Sequence, residues 1–163
     1  MIGYRRPVLL VLVSALALLL FGSVSQAAPA VQESCSDPFS DRNADAGFDG
    51  RICLTPAVEG ELKVVVRGDC RWNYHFFWGK PPSKCRTSQA RYSLTEPAGT
   101  KSNDDMSTME SVSGNVQATG KSFKCAEGSY KVELYYKIEM MGWSGNWSRQ
   151  IEHQRTVDIK AAC

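Results

Sequence analysis

Six cysteines, Cys35, Cys53, Cys70, Cys85, Cys125 and Cys163, are spread over a 163-residue chain, and all lie beyond an apolar N-terminal leader. An even set of well-spread cysteines in an exported chain reads as a disulfide framework. In a reducing compartment the same count would read as metal or redox chemistry. Cross-links constrain a fold strongly, because each holds two segments of the chain within a few ångströms of one another.

The leader has a charged start at Arg5 and Arg6, an apolar stretch from Val8 to Phe21, and small residues at Ser25, Ala27 and Ala28. That stretch of 14 residues is short of the roughly 20 needed to span a bilayer. Residues 1–27 are therefore expected to be a signal peptide cut after Ala27, with the remainder secreted to the extracellular space. No second apolar segment of spanning length follows, so no membrane span is expected after cleavage. Removing the leader leaves 17 basic against 17 acidic side chains. Such a balance argues against nonspecific nucleic-acid binding, which needs clustered cationic surface. The 136 residues that remain suffice for one domain with its own core.

Residues 28–50 are rich in Asp, Ser, Ala and Asn and lack apolar periodicity, which predicts an irregular lead-in. From residue 51 to residue 163 the pattern is that of a single domain of short strands: 51–55, 61–67, 72–78, 91–95, a weaker run over 112–123, 129–141 and 149–161. No amphipathic helix is evident. The clearest strand has Tyr130, Val132, Leu134, Tyr136, Ile138 and Met140 on alternate positions, with Lys131, Glu133, Lys137 and Glu139 between them. Successive strand side chains point to opposite faces, so one face is predicted buried and the other wet. The last strand repeats this with Val157, Ile159 and Ala161, and the segment Gly142–Ser148 suits a hairpin loop between the two.

That hairpin makes a disulfide prediction. Cys125 and Cys163 lie equally far from Ser144, so antiparallel pairing brings them together at the open end. Local proximity likewise joins Cys70 to Cys85, which leaves Cys35 for Cys53, one of 15 connectivities that six cysteines allow. About seven alternating strands predict an all-β antiparallel sandwich, with a partly closed barrel as the competing form.

The stretch Cys125, Ala126, Glu127, Gly128, Ser129, Tyr130 resembles the approach to the penultimate strand of immunoglobulin-like and fibronectin type III domains. The resemblance covers about the last forty residues and implies the architecture of those domains. Val132 stands where an immunoglobulin domain has the second cysteine of its inter-sheet disulfide, so that cross-link is not implied.

Several residues are candidates for function. Trp143 and Trp147 flank Ser144, Gly145 and Asn146 in the hairpin loop, which resembles, with one extra residue, the Trp-Ser-x-Trp-Ser box of cytokine receptors and thrombospondin type 1 repeats. A loop tryptophan either packs on the sandwich or meets a partner, here an extracellular protein or a carbohydrate. Asn146, Trp147 and Ser148 form an N-glycosylation acceptor. Asp41, Asn43, Asp45 and Asp49 stand at offsets 1, 3, 5 and 9 of an oxygen-ligand loop for calcium, although Ala46 takes the glycine position and Ile52 the place of the closing glutamate. Trp72, Tyr74, Phe76 and Trp78 alternate as a buried strand face would.

Catalytic chemistry has little to work with. There are two histidines, His75 and His153, no nucleophile elbow, and no free thiolate if every cysteine is bonded. No organic cofactor motif is present. The pattern favours a secreted binding module acting through loop-tip aromatics. An exported effector, toxin or inhibitor that docks on a host or competitor protein is the alternative, and a small hydrolase using paired carboxylates ranks third.

Overall fold

The computed structural model describes residues 31–58 and 60–163. The expected signal peptide, residues 1–27, lies outside the described residues. Every regular element among those described is a strand: β1 (Ser34–Cys35), β2 (Phe39–Arg42), β3 (Ala46–Pro56), β4 (Glu61–Asn73), β5 (Trp78–Gly79), β6 (Cys85–Thr95), β7 (Lys101–Asp105), β8 (Glu110–Ser111), β9 (Asn115–Lys124), β10 (Gly128–Met141) and β11 (Trp147–Ala161).

These strands build two antiparallel sheets. In the first, β3 and β4 are central; β1 and β2 pair with β3, and β9 and β5 pair with β4. The second runs β11–β10–β6–β7, with β8 also paired to β6. The chain thus lays β3 and β4 in one sheet, crosses to β6 and β7, returns for β9, and closes the second sheet with β10 and β11. This is the strand order of an immunoglobulin-like or fibronectin type III sandwich, as the resemblance of the Cys125–Tyr130 stretch implies.

The alternating residues explain why the two sheets meet. Tyr130, Val132, Leu134, Tyr136, Ile138 and Met140 of β10 are all buried, and they pack with Ile52 and Leu54 of β3, Leu62, Val64 and Val66 of β4, and Leu94 of β6 in one core. At the corner leading into β10, the buried Tyr130 hydroxyl donates to the Ala126 carbonyl at 2.9 Å and accepts from the Ala126 amide at 2.7 Å. This is the tyrosine corner of such sandwiches. Gly68 is required where β3 and β4 run closest: a Cβ there would sit 2.1 Å from the Asp49 carbonyl oxygen and would meet the Phe48 ring.

The three disulfides join Cys35 to Cys53, Cys70 to Cys85 and Cys125 to Cys163. Disulfides form and persist in oxidising compartments, which places the chain in an exported setting. Each bond has a distinct place in the fold. Cys35 and Cys53 oppose one another across the β1–β3 ladder. Cys70 and Cys85, both fully buried, tie β4 of the first sheet to β6 of the second. The sheets are therefore cross-linked, through a different strand pair from the one an immunoglobulin domain uses. Cys125 and Cys163 close the open end of the β10–β11 hairpin, with Cα atoms 5.8 Å apart.

Two expectations need correction. The described part of the expected lead-in, residues 31–50, is not irregular, because β1, β2 and the first half of β3 lie there, and strands number eleven among the described residues. The pattern was hidden because an inward-facing position of β2 carries Asp41, only 4% exposed. Its carboxylate accepts hydrogen bonds from the Tyr136 hydroxyl and the Arg155 guanidinium, the Arg155 Nε contact being 2.8 Å. His153 Nε2 lies 3.5 Å away, and the Arg155 guanidinium stacks on Phe39 with its carbon 4.4 Å from the ring centroid. Burial alone would raise the Asp41 carboxyl, but the bonds from Arg155 and Tyr136 hold it below the ordinary carboxylate range. Burial, followed by the neighbouring Asp41, pushes the Tyr136 phenol above its usual value. Edge strand β11 thus presents Arg155 inward, a placement that discourages pairing with a foreign strand.

Two measurements check these contacts. The loop closed by Cys125 and Cys163 spans 38 residues, so a Cys125→Ser, Cys163→Ser double variant should lose about 3–4 kcal/mol in urea denaturation. An unchanged midpoint would show that the cross-link contributes nothing. Asp41→Asn strands the Arg155 charge and should cost about 3–5 kcal/mol at neutral pH. Since the folded-state pKa of Asp41 is lowered, its stabilisation is complete above the ordinary carboxylate range and is lost as pH falls through the lowered value. Wild-type stability should therefore drop below about pH 4 more steeply than that of Asp41→Asn.

Candidate functional site

One end of the sandwich is built from the β2–β3 turn, the β4–β5 turn and the β10–β11 loop. Arg149, near the start of β11, holds the three together. Its Nη1 donates to the Asn73 carbonyl at 2.6 Å and the Asp45 carbonyl at 2.9 Å, and its guanidinium carbon lies 3.9 Å from the Trp72 ring centroid. Asn43 Nδ2 adds a 2.8 Å bond to the Gln150 carbonyl. Stacking a guanidinium on indole while satisfying two carbonyls fixes the Arg149 fork in one orientation. The turn bases are thereby locked, although their tips project into solvent.

The β4–β5 turn overturns the expected strand over 72–78. Asn73 Oδ1 accepts the His75 amide at 2.8 Å, and the Tyr74 amide bonds the Phe77 carbonyl at 2.9 Å. An Asx turn of this kind competes with extended pairing, and His75 takes a left-handed φ of 71° that a strand does not allow. The four alternating aromatics consequently part company. Trp72 is buried, Tyr74 stacks on Phe77 with centroids 4.9 Å apart, and Phe76 points outward with 97% of its surface exposed. Phe77 at 61% and Trp78 at 40% are exposed beside it. Alternation with Trp72 predicts Phe76 and Trp78 inside, and the turn leaves both exposed. The local signal for the turn is Asn73 placed two residues ahead of His75.

The β10–β11 loop separates its two tryptophans as well. Trp143 is 80% exposed at the tip, where Gly145 takes a φ of 78° to close the turn. Trp147 is not a tip residue. It begins β11 and carries the Arg86 guanidinium 4.0 Å above its ring, while Arg86 bonds Glu139 at 2.9 and 2.7 Å. This ordered stack belongs to the outer face of the second sheet, so of the two expected contact residues only Trp143 lies at the tip of the loop. Asn146 is exposed in the same loop, where a glycan acceptor would have to be.

The four candidate calcium ligands do not converge. They are divided between the two strands and the turn of the β2–β3 hairpin, with Asp41 facing the core. Asp41 is consumed by Arg155 and Tyr136, and Asp49 by Ser40, Arg42 and Arg71. Asn43 Oδ1 accepts the Asp45 and Ala46 amides at 2.9 and 2.7 Å, which makes it a turn former. Two of the carboxylates that spacing placed around a cation are instead paired with arginines, Asp41 with Arg155 of β11 and Asp49 with Arg42 of β2 and Arg71 of β4. One close grouping of ligand types does occur among the described residues, Glu33 with Cys35 and Cys53. Both of its sulfurs are tied up in a disulfide and unavailable as thiolates.

No protein-family model matches this chain, and no curated protein matches it. Among solved structures it is similar to FetP of uropathogenic Escherichia coli, as isolated after recombinant expression in the periplasm, with a TM-score of 0.42 and 14% identity over 81% of this chain and 99% of that one. It is similar also to a copper-bound variant of FetP, with a TM-score of 0.40 and 12% identity over 78% of this chain and 92% of that one.

Truncation separates the two kinds of aromatic at this end. Trp72→Ala should cost about 3–5 kcal/mol in chemical denaturation, as buried aromatics do. Phe76→Ala and Trp143→Ala should each stay within about 0.5 kcal/mol of wild type. A large loss at Phe76 would mean that the turn packs inward in solution.

Proposed function

We propose that this chain is an exported binding module that grips a partner protein with the aromatic turns at one end of a disulfide-stapled sandwich. The observation that carries this reading is the joint exposure of Phe76, Phe77 and Trp143 on two turns whose bases are locked together by Arg149, with Trp78 of β5 exposed beside them. Exposed large aromatics carry a cost in water, and clustering them on a rigid support is how interfaces obtain anchor residues. Rigidity matters as much as area, since a turn already ordered by Asn73, by the Tyr74–Phe77 stack and by a 2.8 Å bond from the Tyr74 hydroxyl to the Lys80 carbonyl loses little entropy on binding.

Phe76 and Phe77 have no polar group with which to address a sugar hydroxyl, so an apolar pocket on a protein suits this end better than a carbohydrate. In an immunoglobulin variable domain the loops at one end of the sandwich carry recognition, and the β4–β6 connection and the β10–β11 loop occupy corresponding places here. Secretion outside the cell and an extracellular partner belong to the same proposal. They rest on the leader's composition and on the disulfides.

The test is photocrosslinking from a reactive group placed next to Trp143, comparing wild type with a Phe76→Ser, Phe77→Ser, Trp143→Ser triple variant. The triple variant should keep its melting temperature and lose the crosslinked partner. Capture of the same partner by both proteins would move the contact away from this end.

A further inference from the structure

The outer face of the second sheet carries a separate arrangement that the aromatic end does not use. Strand register brings Gln154, Tyr135, Arg91 and Asp105 side by side, one from each of β11, β10, β6 and β7. The adjacent row contains Glu133, Ser93 and Asn103. Side chains two residues apart on a strand share a face, so both rows point to the same solvent-facing surface. Together they line a groove of about 460 Å³. A second hollow of about 340 Å³ continues from it and shares Arg91, Asp105 and Tyr135. These volumes lie in the range of small-ligand sites, roughly 300–1,000 Å³.

Three features mark the groove as more than ordinary polar surface. The Arg91 guanidinium carbon lies 4.7 Å from the Tyr135 ring centroid and makes no ion pair among the described residues, so its donors are oriented but unspent. Asp105, its direct neighbour across the β6–β7 ladder, is likewise free of any ion pair among the described residues. The Ser93 hydroxyl is the one buried side-chain oxygen or nitrogen among the described residues that lacks a hydrogen-bond partner, and Ser93 lines this groove. Unsatisfied buried polar atoms are rare in folded proteins and call for a missing partner.

We propose that this groove binds a neutral saccharide unit. Charge complementarity favours a neutral ligand, because Arg91 and Asp105 cancel and Glu133 is offset by Lys101 at 3.3 Å, so an ionic ligand finds no field of one sign to hold it. A sugar hydroxyl both donates and accepts. The groove offers both in alternation: acceptors on Asp105, donors on Arg91, and both kinds on Asn103, Gln154 and Ser93. The Tyr135 ring, with the Arg91 guanidinium carbon 4.7 Å from its centroid, sets an apolar surface among these polar groups that can meet the C–H face of a pyranose. A ligand lying along this row would cross all four strands, and its affinity would depend on Tyr135, Arg91 and Asp105, with no contribution from the aromatic turns.

The experiment is an amide NMR titration of the disulfide-bonded protein with neutral gluco-, manno-, xylo- and N-acetylglucosamine oligosaccharides, with an oligogalacturonate as the charged control. A neutral series should produce saturable shifts at residues 91, 93, 105 and 135. Tyr135→Ala and Asp105→Asn should each weaken binding at least about tenfold, and Trp143→Ala should leave it unchanged. Asp105→Asn preserves shape at an exposed position, so it keeps the test valid if Tyr135→Ala fails to fold. The proposal is overturned if no neutral series gives saturable shifts, if the oligogalacturonate binds more tightly than every neutral sugar, or if the shifts fall on the turns at 74–77 and 142–146.

Discussion

The inner face of β10 must leave water as a unit. Tyr130, Val132, Leu134, Tyr136, Ile138 and Met140 all project to one side of a single extended segment, and no partial arrangement buries some of them and wets the rest. Pairing with β6 on one flank and β11 on the other satisfies the backbone of the strand, and β3 and β4 supply the covering layer. The remaining architecture follows from holding that face closed. The Tyr130 hydroxyl secures the corner where the chain enters β10, the Cys125–Cys163 bond secures the open end of the hairpin, and the Cys70–Cys85 bond ties the two sheets together within the core.

The interior is not wholly apolar, and its polar element is what recruits the N-terminal strands. Asp41 would be costly to bury alone. It becomes tolerable because Tyr136 and Arg155 direct hydrogen-bond donors at it and Phe39 covers the Arg155 guanidinium. Removing either partner leaves a charge or a polar group stranded, which makes the match specific where an aliphatic contact would not be. The hairpin of β2 and β3 therefore docks in one register against β11, and the Cys35–Cys53 bond fixes β1 beside it.

A frame cross-linked in three places lets its loops and faces be shaped with little regard for stability. Arg149 shows how this is done, since one guanidinium satisfies carbonyls from two turns and stacks on the indole beneath them. Above it the chain displays Phe76 and Trp143. Around the side, on the outer face of the second sheet, the row through Tyr135 and Arg91 lines a polar groove. The two surfaces differ in chemistry, one apolar and projecting, the other hydrogen-bonding and concave.

Much of the fold was legible in the order of residues. The alternation in β10 predicts its buried face, the symmetric spacing of Cys125 and Cys163 about Ser144 predicts the hairpin register, and the segment from Cys125 to Tyr130 resembles the corner of the sandwich family whose strand order the structure has. Less of the site was legible. Trp143 reads correctly as a tip residue, but Trp147 gives no hint that Arg86 will cover it, and the alternation of Phe76 and Trp78 with Trp72 suggests a buried strand face that the Asn73 turn denies them. The apparent calcium loop fails for a similar reason, because the arginine that claims Asp41 stands 114 residues away. Period, turn chemistry and cysteine spacing act between neighbours along the chain, so the sequence alone determined the strands, the hairpin and the expected cross-links. Only the tertiary structure decided which side chains are satisfied and which remain free to bind, because that depends on partners brought from distant strands by the closing of the two sheets.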